Sequence, residues 1–177
     1  PVARSILAAL GRPVVAPSAN RSGHVSPTTA HHVLDDLGGE IALIVDAGAT
    51  PLGLESTIVG CLGTPQLLRP GALPRAEIER IVPLETVEPC AATGERAPVA
   101  PGQLASHYAP RAQLRLDADN IVPGEALLAF GPLPTGAERA VAIRNLSERG
   151  DLIEAAANLF AHLRALDAAG VGAIAVM

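Results

Sequence analysis

The chain has 177 residues, 49% of them hydrophobic and 18% charged, with a net charge of −5 at neutral pH. That length and apolarity suffice to bury a core, while the acidic balance argues against a broad basic surface for nucleic acid, and two Phe, one Tyr and no Trp give no stacking platform. All thirteen basic residues are Arg, so a Walker A loop, which reaches phosphates through a Lys, is excluded. Val2 to Leu10 reads as a helix ending at Gly11, Val14-Val15-Ala16 as the end of a buried strand, and Pro17 to Gly23 as a turn. Ser26-Pro27 reads as the cap and first residue of a helix from about Thr28 to Leu37. Its apolar face would be Ala30, Val33, Leu34 and Leu37, and Gly38-Gly39 would stop it. A strand is expected around Ile41 to Val45, making the order α/β alternation, and two more at Ser56 to Val59 and Gln66 to Leu68, joined as a hairpin or by a longer loop.

Ala76 to Val82 is expected as a short helix started by Pro74. From Pro83 to Pro110 the composition turns to Pro, Gly, Ala and Thr without hydrophobic period, which marks a linker. Beyond it, Leu114 to Leu116, Ala126 to Phe130 and Val141 to Ile143 read as strands and Asp151 to Ala169 as a helix. Leu152, Ala155, Ala156, Leu159, Leu163 and Leu166 share one face of that helix, and Asp151 with Glu154 has capping-box spacing. Strand, helix and strand at this spacing fit a parallel, Rossmann-like sheet. Gly170-Val171-Gly172 follows a helix and opens a strand, the wrong context for a dinucleotide fingerprint, so no cofactor is assigned there. Cys61 and Cys90 stand alone, without metal spacing or a redox pair, which fits a reducing cytoplasm. No apolar run reaches the roughly 18 residues of a membrane span, and the first residues lack a signal-peptide pattern.

Chemistry concentrates in Ala16 to Thr29, where Ser18, Ser22, Ser26 and Thr28 gather with Asn20 ahead of a helix. Hydroxyls, an amide and a helix N-terminus suit an anion such as phosphate, although Ser-Pro-Thr is also an ordinary cap. Three segments in order, Pro17-Ser18-Ala19-Asn20-Arg21-Ser22-Gly23-His24-Val25-Ser26-Pro27-Thr28, Glu55-Ser56-Thr57-Ile58 and Leu67-Leu68-Arg69-Pro70-Gly71, resemble the second half of the YrdC-like domain of threonylcarbamoyl-AMP synthases. Ser106-His107-Tyr108-Ala109-Pro110 resembles the linker of the two-domain members of that family.

The resemblance implies an α/β fold: the second half of a YrdC-like twisted open sheet over residues 1–83, a linker over 84–112, and a partial Rossmann-like domain over 113–177. The chain then reads as an internal fragment. The implied reaction forms threonylcarbamoyl-AMP and pyrophosphate from L-threonine, bicarbonate and ATP. ATP is a substrate, with Mg²⁺ expected beside it. The product passes to the machinery that transfers threonylcarbamoyl to tRNA in the cytoplasm, with weak RNA binding and no membrane association.

By the same resemblance, Ser18, Asn20, Ser26 and Arg69 contact ATP, Ala16 and Ser56 contact L-threonine, and His107 with Tyr108 forms part of a lid. Arg69, between Leu-Leu and Pro-Gly, has no packing duty and offers a planar fork to an anion. Ser56 reads equally as a strand-edge residue bonded to backbone, Tyr108 as a residue that only docks the linker, and Glu55 as half of an ion pair. No metal ligand is assigned. His31 and His32 are adjacent and read as solvated surface. The family's basic motif for the triphosphate and its Arg for the threonine carboxylate are missing, so the fragment alone is expected to be inactive. The alternatives are a carbamoyltransferase-type YrdC-like domain, against which the His-Tyr-Ala-Pro element speaks, and a non-catalytic RNA-binding module.

Overall fold

A computed structural model describes residues 2–86 and 109–177. Two sheets organise an α/β chain. The first part carries α1 (Val2–Leu10), α2 (Ala30–Leu37), β1 (Ile58–Gly60), β2 (Gln66–Arg69), α3 (Arg75–Glu79) and β3 (Glu85–Thr86). β1 and β2 form an antiparallel hairpin, and β3 adds to β2 in parallel, so sheet pairing takes in Glu85 and Thr86 of the expected linker. The second part carries β4 (Gln113–Arg115), β5 (Ala126–Ala129), β6 (Ile143–Asn145), α4 (Leu152–Asp167) and β7 (Ala173–Val176). Its four strands run parallel in the order β4-β7-β5-β6.

β5 is buried along its whole length, as a central parallel strand covered on both faces must be. One face packs Ala126, Leu128 and Ile174 against Leu163 and Leu166 of α4, and the other packs Leu127, Ala129 and Ala175 against Ala118, Ile121 and Ala137. Asp151 caps α4 by accepting from the N–H groups of Ile153 and Glu154 at 2.8 and 3.0 Å. The reciprocal half of the capping box is replaced: Glu154 accepts from Ser147 Oγ, and Ser147 Oγ in turn accepts from Asp151 N. Leu152, assigned to the buried face, is 75% exposed because it lies in the first turn, ahead of the part of α4 that covers the sheet.

Two expected strands are absent. Val14 to Ala16 and Ile41 to Val45 run without ladder partners among the described residues, Val15 is 99% exposed, and Leu43 is 77% exposed. β-branched sequence favours an extended chain, but a strand exists only beside a neighbour that takes its N–H and C=O groups. The helix after the hydroxyl-rich loop begins at Ala30 with Thr29 as its cap, not at Pro27 with Ser26 as cap. Thr29 Oγ1 accepts from His32 N at 3.3 Å, while Ser26 is engaged elsewhere. On α2 the buried residue is Asp36, and Leu34, expected on the core face, is exposed. Pro74 stands at the N-cap of α3, one position before its first helical residue. Pro1 and residues 87–108, and with them Cys90, His107 and Tyr108, lie outside the described residues.

Candidate active site

The Arg-Pro-Gly end of β2 and the Glu-Ser-Thr run before β1 are pressed together, which explains a small residue at Gly71. A Cβ there would lie 2.5 Å from Ser56 C and from Thr57 N, and Ala72 N donates to Glu55 O at 2.9 Å. Thr57 Oγ1 completes the clamp by donating to Leu73 O and accepting from Leu73 N. This close approach turns Arg69 onto the neighbouring segment. Its Nε and Nη2 donate to Ser56 O at 2.9 and 2.7 Å, and Nη2 also donates to Ser56 Oγ at 3.0 Å.

Glu55 joins the two motifs. Its Oε2 lies 3.8 Å from Arg69 Nη2, and its Oε1 accepts from Ser26 Oγ at 2.5 Å. Ser26, 4% exposed, and Arg69 therefore stand on either side of one carboxylate. Ser18, Ser26, Thr28 and Glu55 line a cavity of about 370 Å³ together with Leu52, Gly53 and Phe160. Thr50 N donates to Thr28 O, so the loop bearing Glu55 and the loop bearing Ser26 are also tied through backbone.

Of the residues singled out in the sequence, Ser26, Arg69 and Ser56 thus meet around Glu55, and Ser18 shares the cavity with Ser26. Asn20 braces its own loop, its Nδ2 donating to the carbonyls of Arg21 and His24 at 2.9 and 3.1 Å, while its Oδ1 is buried without a partner among the described residues. Ala16 sits on exposed extended chain outside the lining of this cavity. The helix N-terminus is less open to an anion than the loop suggested: Thr28 N is taken by His32 Nδ1 at 3.2 Å and His32 N by Thr29 Oγ1. His32 is accordingly no surface residue. Burial, followed by the charge of Arg164, lowers its pKa, which keeps Nδ1 free to accept. Glu55 and Arg164 are the participants that composition and spacing underrated. Glu55 was legible through its ion-pair reading, whereas Arg164 lies 139 residues from its partner Val25 and has no local signature. Among the described residues no group of three or more His, Cys, Asp or Glu is arranged to hold a metal, so a cation here would lean on Glu55 and on a ligand's own oxygens.

An antiparallel hairpin and a helix-backed parallel sheet, with Ser18, Ser26 and Glu55 lining one cavity and Arg69 beside the Glu55 carboxylate, define an α/β protein. Residues 1–71 match the family model described as telomere recombination, and residues 73–177 match the threonylcarbamoyl-AMP synthase C-terminal domain. The chain belongs to the threonylcarbamoyl-AMP synthase family. It is 39% identical over 184 residues to the threonylcarbamoyl-AMP synthase of Pyrococcus abyssi, covering 92% of this chain and 52% of that protein. It is 43% identical over 117 residues to that of Bacillus subtilis, covering 66% of this chain and 34% of that one. The crystal structure of P. abyssi Sua5 complexed with L-threonine superposes with a TM-score of 0.81 at 32% identity, over 99% of this chain and 55% of that one. A P. abyssi Sua5 variant with a His and the following Tyr both changed to Ala superposes at 0.77. The chain spans about half the length of the P. abyssi relative and a third of the B. subtilis one.

Proposed function

We propose that the protein carrying this chain forms threonylcarbamoyl-AMP and pyrophosphate from L-threonine, bicarbonate and ATP, a nucleotidyl transfer that serves N6-threonylcarbamoyladenosine modification of tRNA in the cytoplasm. The observation that carries this reading is the junction of Ser26, Glu55, Arg69 and Ser56, assembled from three separate motifs. Threonine's amine and bicarbonate give a carbamate with loss of water, and a carbamate oxygen attacks the α-phosphorus, with pyrophosphate leaving. No protein nucleophile is required, so the residues work by positioning and by matching phosphate charge.

Ser18, Asn20 and Ser26 serve the nucleotide, and Arg69, whose Nε and Nη2 hold Ser56, brings its positive charge to a phosphate oxygen. Glu55 stands between Ser26 and Arg69, where a phosphate would be held. A bare anion would be repelled by that carboxylate. Mg²⁺ fits this geometry, because one carboxylate plus substrate phosphates is a usual Mg²⁺ environment, and it would supply charge neutralisation while Ser26 and Arg69 fix orientation. Ala16 and Ser56 serve L-threonine, the ligand with which the P. abyssi relative is complexed. His107 and Tyr108, by the family resemblance, would keep water from the mixed anhydride. The adenylate then passes to the machinery that acts on tRNA.

The test is pyrophosphate release in the complete protein, measured with and without threonine and bicarbonate. Release should require both, and Arg69→Met should lower kcat/KM for ATP by on the order of 10²-fold, the loss expected when a charge-assisted phosphate contact is removed. Release independent of threonine, or an Arg69→Met enzyme of wild-type efficiency, would overturn the assignment.

A further inference from the structure

Both loops that build the candidate site are seated on α4 of the C-terminal part. Val25, one residue before Ser26, is 4% exposed and its side chain lies in the core of that part with Leu128, Leu163, Leu166 and Ile174. Its carbonyl accepts from Arg164 Nε at 3.0 Å and from Nη2 at 2.6 Å. The same guanidinium is paired with the carboxylate of Asp36, near the end of α2, and both side chains are largely buried.

Four residues back along α4, Phe160 joins Ser18, Ser26 and Glu55 in the wall of the cavity. Three residues before that, the backbone of Ala157 abuts Gly53, whose φ of +65° and lack of Cβ allow the contact; a Cβ would sit 2.7 Å from Ala157 Cα. Residues 157, 160 and 164 form one stripe of the helix. The stripe therefore touches the Ser26 loop through Arg164 and the Glu55 loop through Ala157. An apolar pair would hold two domains together as firmly as a buried ion pair, whose desolvation is costly. The fork instead fixes a backbone carbonyl in direction as well as distance, next to the residue whose hydroxyl reaches Glu55.

We propose that Arg164 is a positioning residue for the nucleotide site: by gripping the Val25 carbonyl it sets the place of Ser26 Oγ, which makes the C-terminal α/β part a structural component of that site. The inference rests on Ser26 as a phosphate contact. Displacement of a substrate-positioning group by about 1 Å costs on the order of 10²-fold in rate, so an effect at Ser26 is readable kinetically.

The experiment is steady-state pyrophosphate release by the complete protein carrying Ser26→Ala, Arg164→Met, both together, Arg164→Lys, or Leu127→Ala. Leu127 is fully buried on the far face of the parallel sheet and controls for simple loss of stability. Arg164→Met should raise KM for ATP roughly tenfold or more, in keeping with lost positioning, and add little once Ser26 is already Ala, because it acts through that residue. Arg164→Lys keeps the cation but not the fork; it should raise KM in the same direction and stands in if the Met variant does not fold. Leu127→Ala should lower thermal stability and leave KM for ATP unchanged. Losses that multiply in the double variant, a wild-type KM in the Lys variant, or a Leu127→Ala enzyme with the same KM rise would each overturn the proposal. A silent Ser26→Ala would remove the phosphate reading beneath it, whereas an effective Ser26→Ala beside silent Arg164 variants would refute the positioning role alone.

Discussion

Removing the Asp36 carboxylate should be costly, and the cost should depend on pH. Asp36→Ala leaves the Arg164 guanidinium without its counter-charge in a site where its side chain is 14% exposed. Breaking a buried pair on one side costs about 3–5 kcal/mol in general. Here Arg164 keeps the Val25 carbonyl, and the pair borders an open cavity of about 530 Å³, so water screens part of the stranded charge. A smaller cost, about 2–3 kcal/mol, is therefore expected, which for a chain of this size is a fall of roughly 4–12 °C in Tm.

Burial raises the Asp36 pKa, but the Arg164 hydrogen bond and charge, the charge of His24 and a backbone hydrogen bond from Arg21 outweigh it and leave it below the ordinary 3.8. A depressed carboxylate pKa contributes stability that is complete above the unfolded value and is lost as pH falls through the folded one. The gap between wild type and Asp36→Ala, read by far-UV circular dichroism melts, should thus be constant from pH 7 to about 5 and narrow below about 4. A Tm change under about 1 °C at pH 7, or a gap that widens on acidification, would refute the reasoning.

Gly71→Ala should distort the clamp between the Arg-Pro-Gly turn and Glu55 to Thr57, since the new methyl meets backbone on that segment; the expected result is a lowered Tm together with a raised KM for ATP in the complete protein. Leu128→Ala, at a side chain 1% exposed in the main core, should cost about 2–5 kcal/mol in denaturant unfolding. His162 is half-buried, its Nδ1 has no partner among the described residues, and burial followed by the charge of Arg144 lowers its pKa. A histidine held neutral in the fold gives full stability above its ordinary value of 6.5 and loses it as pH drops toward the lower folded value. His162→Leu should therefore flatten the decline in denaturant midpoint between pH 8 and 5, and an unchanged slope would count against its buried neutral state.

Local code determined a good part of this protein. The 3.6-residue period of Leu159, Leu163 and Leu166 and the Asp151 cap place α4, and the apolar run Ala126 to Ala129 places its central strand, because those signals are complete within a few residues. The motif residues Ser26, Ser56 and Arg69 were legible by type, and Glu55 by its ion pairing. Tertiary structure decided the rest. Val14 to Ala16 and Ile41 to Val45 carry strand-like sequence, yet pairing is a property of two segments and no described neighbour supplies the second. Ser26 has every local mark of a cap, but Glu55, 29 residues away, takes its hydroxyl, and the cap passes to Thr29. His32 reads as surface until Thr28 N and Arg164 are set beside it. Arg164 looks like an ordinary basic residue near a helix C-terminus, and only the packing of α4 on the Val25 loop brings its fork to a carbonyl and a carboxylate. Periodicity and caps are encoded over one or two turns of chain, whereas a buried ion pair is chosen by which surfaces meet, and that is settled by the burial of Val25 in a core built more than a hundred residues later.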